Sequence, residues 1–219
     1  VTGYATQIEN YTLGGEAFTI RALLDRQQFS DPDGAAAALG ITSATWPIFG
    51  MVWPSSLILA EHVAQLQLEP SCRVLEAGCG LALASLVLHR RGIDVTATDV
   101  HPEVPDFLRE NLLLNHLPPM PCVAGDWANL HDSRLGCFNL VIGSDLLYDR
   151  DQPAQLAGFI DRHTQRKARV ILVDADRGNR PAFTRALQAA GFTLETERRV
   201  HSLPANGEPY KGRLLTYQR

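Results

Sequence analysis

The stretch Glu76-Ala77-Gly78-Cys79-Gly80-Leu81-Ala82 decides the fold. It closes a β-branched and apolar run, Cys72-Arg73-Val74-Leu75-Glu76, and opens a helix-forming run from Ala82 to Arg91 that Gly92 stops. A glycine-rich turn between a strand and a helix lets the chain reverse sharply, lets a ligand approach the backbone, and aims free helix N–H groups at it. Two glycine patterns compete. The nicotinamide-dinucleotide fingerprint G-x-G-x-x-G/A needs a small residue at position 83, which is Leu83. The pattern acidic-x-G-x-G-x-G/A matches throughout, with Glu76 two before the first glycine and Ala82 as the third small residue. A tight turn that holds no ligand is the plain alternative.

Working outward, short apolar runs alternate with helical ones, the signature of a parallel sheet covered by helices. Asp94 to Asp99 reads as a second strand, followed by a helix with Val104, Phe107, Leu108 and Leu112 on one face, ended by Pro118-Pro119. Cys122-Val123-Ala124 reads as a third strand, Phe138 to Gly143 as a fully buried fourth and Arg169 to Val173 as a fifth. Asp151 and Pro153 signal a helix start, and Asn179 and Gly191 bracket another helix. Phe192 to Val200 and Tyr210 to Tyr217 read as an edge hairpin turned at Pro204-Ala205-Asn206-Gly207. In residues 1–45, alternation around Ile8, Tyr11, Leu13, Phe18 and Ile20 suggests a small β-hairpin extension, leaving residues 46–219 as the main domain.

Acidic and aromatic residues gather at the expected strand ends. Asp99 lies 21 residues after Gly78, close to the spacing at which a carboxylate meets ribose hydroxyls, although it could instead cap the next helix. In Gly125-Asp126-Trp127, Asp126 can reach an adenine amino group and Trp127 can cover the ring; Trp127 could equally be a core aromatic. In Ser144-Asp145-Leu146-Leu147-Tyr148, Asp145 and Tyr148 can converge on one amine, the alternative being a solvated strand end. Arg177 to Arg180 reads as a solvated loop that could border a substrate entrance.

Composition sets outer bounds. The 219 residues suit one large domain, and 45% apolar with 20% charged residues is ordinary for a globular chain. No apolar run reaches the roughly 18 residues of a spanning helix, and no signal peptide is visible, so a cytoplasmic protein without membrane attachment is the expectation. A net charge of −4 gives no reason to expect nucleic acid as partner. Cys72, Cys79, Cys122 and Cys137 lack zinc-site spacing, and no metal is expected.

At these residues the sequence resembles the seven-strand class I S-adenosylmethionine (SAM)-dependent methyltransferases. Within them it resembles the methyltransferase-16-like group of protein-lysine methyltransferases, and it is similar to bacterial proteins described as nicotinamide N-methylases. The likeness runs from Trp46-Pro47-Ile48-Phe49-Gly50-Met51-Val52-Trp53-Pro54 through Val74 to Asp99, then Trp127 and Asp145-Leu146-Leu147-Tyr148. It implies an α/β, Rossmann-like doubly wound sheet of order 3-2-1-4-5-7-6 with strand seven antiparallel. It also implies S-adenosyl-L-methionine as cofactor and S-adenosyl-L-homocysteine as product. Carried onto this chain, Trp53 packs beside the cofactor, and Gly78, Cys79 and Gly80, after Glu76, line its methionine end. Asp99 takes the ribose, Asp126 and Trp127 the adenine, and Ser144 the rim near the methyl group; Asp145 and Tyr148 form the catalytic or substrate-placing turn. The acceptor is then a protein lysine or a small amine metabolite, with a SAM-binding protein lacking turnover as the reading from another class. Base-amino methyltransferases use a Pro-Pro-aromatic turn that Leu146-Leu147 does not reproduce.

Overall fold

The computed structural model describes residues 3–129, 135–202 and 210–219, so the turn expected at Pro204 to Gly207 lies outside the described residues. The chain opens with strands β1 (Thr6–Leu13) and β2 (Glu16–Leu23), an antiparallel hairpin turned at Gly14 and Gly15. A four-residue helix α1 (Ala35–Ala38), a 3-10 turn (Trp46–Gly50) and helix α2 (Pro54–Gln65) lead to the main sheet. There β3 (Arg73–Ala77), α3 (Leu83–Arg90), β4 (Asp94–Asp99), α4 (Val104–Leu114), β5 (Cys122–Ala124) and β6 (Phe138–Ser144) follow in turn. The chain continues through α5 (Gln152–Arg162), β7 (Thr164–Asp174), α6 (Arg180–Ala189), β8 (Thr193–Ser202) and β9 (Tyr210–Gln218).

The sheet order is β5-β4-β3-β6-β7-β9-β8. Its first five strands pair in parallel, and β9 runs antiparallel to both neighbours. That is the expected seven-strand order, with the winding reversing between β3 and β6, where an open α/β sheet leaves a crevice at its carboxyl end. Successive side chains on a strand face opposite ways, and the core divides accordingly. Val74, Leu140 and Ile171 pack with α2, α3 and α4 on one face, while Leu75, Val141 and Leu172 pack with α5 and α6 on the other.

The hairpin shares the first of these cores. Phe18, Ile20 and Leu23 are fully buried, each contributing roughly 1.5–3 kcal/mol of apolar burial. The open edge of β2 is satisfied by two asparagines one turn apart, Asn111 on α4 and Asn115 capping its C-terminus. Asn115 accepts the Thr19 N–H at 2.9 Å and donates to the Thr19 carbonyl at 2.7 Å. Asn111 accepts the Arg21 N–H at 2.7 Å and donates to the Arg21 carbonyl at 3.3 Å.

Three details differ from the sequence expectation. Helix α2 was not anticipated; Pro54 at its first position and the buried Ser55, Leu59 and Val63 at four-residue steps define it. Helix α4 stops at Leu114, before Pro118, with His116 left-handed at φ 55°. Strand β7 begins at Thr164, five residues earlier than expected, and reaches β6 through a register shift between Phe138 and Leu140.

Candidate active site

The crevice is built where β4, β3 and β6 end side by side. Ala77 pairs with Thr98 and Val74 with Leu140, which brings Gly78, Asp99 and Ser144 to adjacent strand ends. Gly78, Gly80 and Ala82 have φ of 56°, 51° and 57°, so alternate residues of the turn are left-handed. Glycine suits this backbone; Ala82 carries the cost of a β-carbon there. The turn is also crowded. A Cβ on Gly78 would sit 2.6 Å from Leu146 Cδ2 and 3.3 Å from Trp127, and one on Gly80 would sit 2.8 Å from the Phe49 carbonyl oxygen. The 3-10 turn on one side, and Leu146 with Trp127 on the other, therefore lie directly against the glycines.

Glu76 is buried and turned into the helix: one carboxylate oxygen accepts both the N–H and the hydroxyl of Ser85, in the first turn of α3. Burial pushes its carboxyl up to about 7, against the opposing pull of the Ser85 bonds and with a further push from the Asp99 charge. Asp99 accepts the Gly80 N–H on one oxygen and the His101 N–H on the other, both at 2.9 Å. It thus ties the turn to its own strand end. Burial raises its carboxyl above the ordinary range although these N–H bonds lower it. The Val100 N–H adds to these bonds, and a carboxylate's roughly four lone-pair sites still leave acceptor capacity for a hydroxyl. The buried Cys79 thiol is pushed well up by burial, and its N–H donates to the Thr98 carbonyl at 2.9 Å, so Cys79 contributes backbone shape and not a thiolate.

The other expected residues fall into two groups. Trp127 joins the crevice through its contact with Gly78, and Asp126 beside it is exposed, accepting the Ala128 N–H at 2.9 Å. Trp53 is held one step away: its indole N–H donates to the Ile48 carbonyl at 2.9 Å and the Arg26 guanidinium covers its ring at 4.6 Å. Ser144 ends β6 opposite Val173, and Asp145 follows at φ 57°, its N–H donating to the Val173 carbonyl at 2.8 Å. That strained residue directs its carboxylate to Arg177, which meets it with both guanidinium nitrogens, one at 3.0 Å. Tyr148 is 50% exposed at the rim.

Sequence reasoning did not single out Asp174 and Tyr210, at the end of β7 and the start of β9, which both feel the Asp145 charge; the strand-end position of Asp174 was the available signal. His101 is buried, stacked on Phe49 at 3.8 Å, and burial lowers it to about 4, so it is a neutral packing element beneath the 3-10 turn. A separate groove of about 770 Å³, bordered by Tyr11, Ile58, His62 and Arg198 among others, shares none of the crevice residues.

The strand order, the left-handed glycine turn and the acid closing β4 define the seven-strand class I methyltransferases. A family model described as lysine methyltransferase matches residues 42–188, more than half of the chain, and the chain belongs to that family. It is 39% identical over 80 residues to magnesium-protoporphyrin O-methyltransferase of Rhodobacter capsulatus, covering 36% of this chain and 34% of that protein. It is 28% identical over 105 residues to the electron transfer flavoprotein beta subunit lysine methyltransferase of Danio rerio, covering 47% and 40%. The matches thus span between a third and two fifths of these relatives' length. Among solved structures, the SAM-bound magnesium protoporphyrin IX methyltransferase of Synechocystis PCC 6803 superposes with a TM-score of 0.58 at 18% identity, covering 88% of this chain and 86% of that one. Among the described residues no helix is long and apolar enough to cross a membrane.

Proposed function

We propose that this chain is a SAM-dependent N-methyltransferase acting on a protein lysine side chain. The observation that carries the reading is the glycine turn. Side-chain-free backbone at Gly78 and Gly80 lies beside an acid with spare acceptor capacity, and Asp145 stands at the end of the next strand. The residues fit the cofactor: the turn offers backbone to its methionine end, Asp99 accepts from ribose hydroxyls, and Trp127 with Asp126 flanks the adenine. Bound there, SAM supplies an electrophilic methyl group on a cationic sulfur.

The chain's own residues then align an amine and free its lone pair. A lysine with a pKa of about 10.4 costs roughly 4 to 5 kcal/mol to hold neutral at pH 7, which the site must share. Asp145 orients the amine by accepting its N–H, and Tyr148 walls the channel. Family membership favours a protein lysine over other acceptors.

The more identical relative is named for a porphyrin substrate, and this favours a second reading, methylation of a small molecule. Incubating the purified protein with methyl-labelled SAM and a cell extract, fractionated into protein and metabolite, separates the two. Label on protein lysines supports the proposal, label on metabolites alone supports the second reading, and no label with intact SAM binding leaves a binding protein without turnover. Calorimetry with SAM, its demethylated product and NADH tests the cofactor; NADH binding with no SAM binding overturns both readings.

A further inference from the structure

Arg177 reaches from solvent, 44% exposed, to hold Asp145, which is 14% exposed. Two further polar groups converge there. Asp174, at the end of β7, is 2% exposed, and one of its carboxylate oxygens accepts the Asp176 N–H at 3.0 Å. The Tyr210 hydroxyl, at the start of β9, is buried without a hydrogen-bond partner among the described residues. A Cβ on Gly212 would strike both this hydroxyl and the Asp174 carbonyl oxygen, so the two residues are in close register. Asp174 and Tyr210 both feel the charges of Asp145 and Arg177, and both are raised, first by burial and then by neighbouring carboxylates.

A buried hydroxyl without a hydrogen-bond partner is costly unless one arrives. A guanidinium held by the Asp145 carboxylate, and near enough to Asp174 to feel its charge, marks where a cationic donor is welcome. We infer that Asp145, Asp174 and Tyr210 form the pocket for the acceptor's ammonium group, and that Arg177 occupies this pocket until a cationic acceptor displaces it. The inference rests on the methyltransferase reading and deepens it. The acceptor enters as a primary ammonium, and Arg177 makes entry competitive, favouring acceptors that bring further binding energy from a protein surface. With Arg177 in place the pocket holds one positive against two acidic groups; when it swings out, the acceptor restores the balance.

The probe is butylammonium, a lysine side chain without its backbone, with 1-butanol as the neutral control. Its binding is followed by NMR titration at constant ionic strength on wild type, Arg177→Ala, and Arg177→Ala combined with Asp145→Asn. Asparagine tolerates the left-handed backbone at position 145. Arg177→Ala is expected to bind butylammonium at least tenfold more tightly than wild type, the double variant to lose that gain, and 1-butanol to bind none of them. Equal affinity in wild type and Arg177→Ala, or a gain that survives Asp145→Asn, overturns the pocket. Calorimetry with S-adenosylhomocysteine on the same proteins keeps the two readings apart. Normal binding there with a failed butylammonium result removes the pocket alone, whereas no binding in any protein removes the methyltransferase reading.

Discussion

The Glu76 carboxylate accepts the Ser85 backbone N–H at 2.8 Å, so a side chain from the strand supplies a partner that the first turn of the following helix lacks. Its carboxyl titrates near 7, against an ordinary value of 4.5. Between those values the folded chain keeps a proton that the unfolded chain has released, so stability falls as pH rises through that window. The loss is absent below pH 4.5 and complete above pH 7, on the order of 3 kcal/mol. Glu76→Gln keeps an acceptor for Ser85 and removes the titration. Urea unfolding at pH 5 and pH 8 is expected to show the variant gaining on wild type at the higher pH; parallel behaviour of the two would mean that Glu76 titrates normally.

Gly80 meets two constraints that can be separated. Its φ of 51° disfavours any β-carbon, and the Phe49 carbonyl oxygen 2.8 Å from the Cβ position leaves no room for one. Gly92, at φ 76°, has nothing within 4 Å of its Cβ position and so carries the backbone constraint alone. Gly92→Ala is expected to cost about 1 kcal/mol in urea unfolding, from left-handed strain. Gly80→Ala is expected to cost at least twice that and to weaken cofactor binding, because backbone must move; similar costs at both positions would remove the contact with Phe49 from the account.

These two glycines also show why the crevice was legible. Glycine spacing, the helix that follows, and an acid closing the next strand are local patterns with one physical meaning, and they placed Asp99 at the end of β4 beside the glycine turn, while the strand order followed from the family resemblance. Glu76 was read as a cofactor contact because spacing cannot tell a carboxylate facing the crevice from one facing the helix; the pairing with Ser85 is a matter of rotamer and burial. Arg177 lies 32 residues from Asp145, and Tyr210 lies beyond β8, so their convergence depends on β7 and β9 being neighbours in space. Helix α2 escaped because its apolar positions mix with serine and its start is marked only by Pro54.

Asn111 and Asn115 make another nonlocal feature testable. Together they give four hydrogen bonds to the edge of β2 while their own helix carries them buried. Asn115→Leu leaves the Thr19 N–H and carbonyl without those partners, at a cost of about 1 to 3 kcal/mol for each buried group that water cannot reach. Hydrogen exchange is expected to quicken at Thr19 well before any change at core amides such as Leu75. Uniform quickening across the chain would instead mean that hairpin and sheet unfold as one unit.

Asp145 follows β6 at a left-handed φ with its carboxylate held by Arg177, while Tyr148 stands exposed three residues on. If Asp145 orients the acceptor amine, the group acts on turnover and not on the cofactor, whose proposed contacts lie at Gly78, Gly80 and Asp99. Asp145→Asn keeps the backbone preference and an acceptor oxygen but loses the charge, and is expected to lower methyl transfer by roughly 10²-fold or more. Tyr148→Phe keeps the wall of the channel and is expected to cost less than Tyr148→Ala. S-adenosylhomocysteine affinity, measured alongside, is expected to stay within about twofold of wild type in all three. Asp99→Ala should show the opposite pattern, since its carboxylate ties down the Gly80 amide and is the proposed ribose acceptor: affinity falls first, and turnover at saturating cofactor recovers in part. If Asp145→Asn weakened cofactor binding as much as Asp99→Ala does, the division of labour between the ends of β4 and β6 would be wrong.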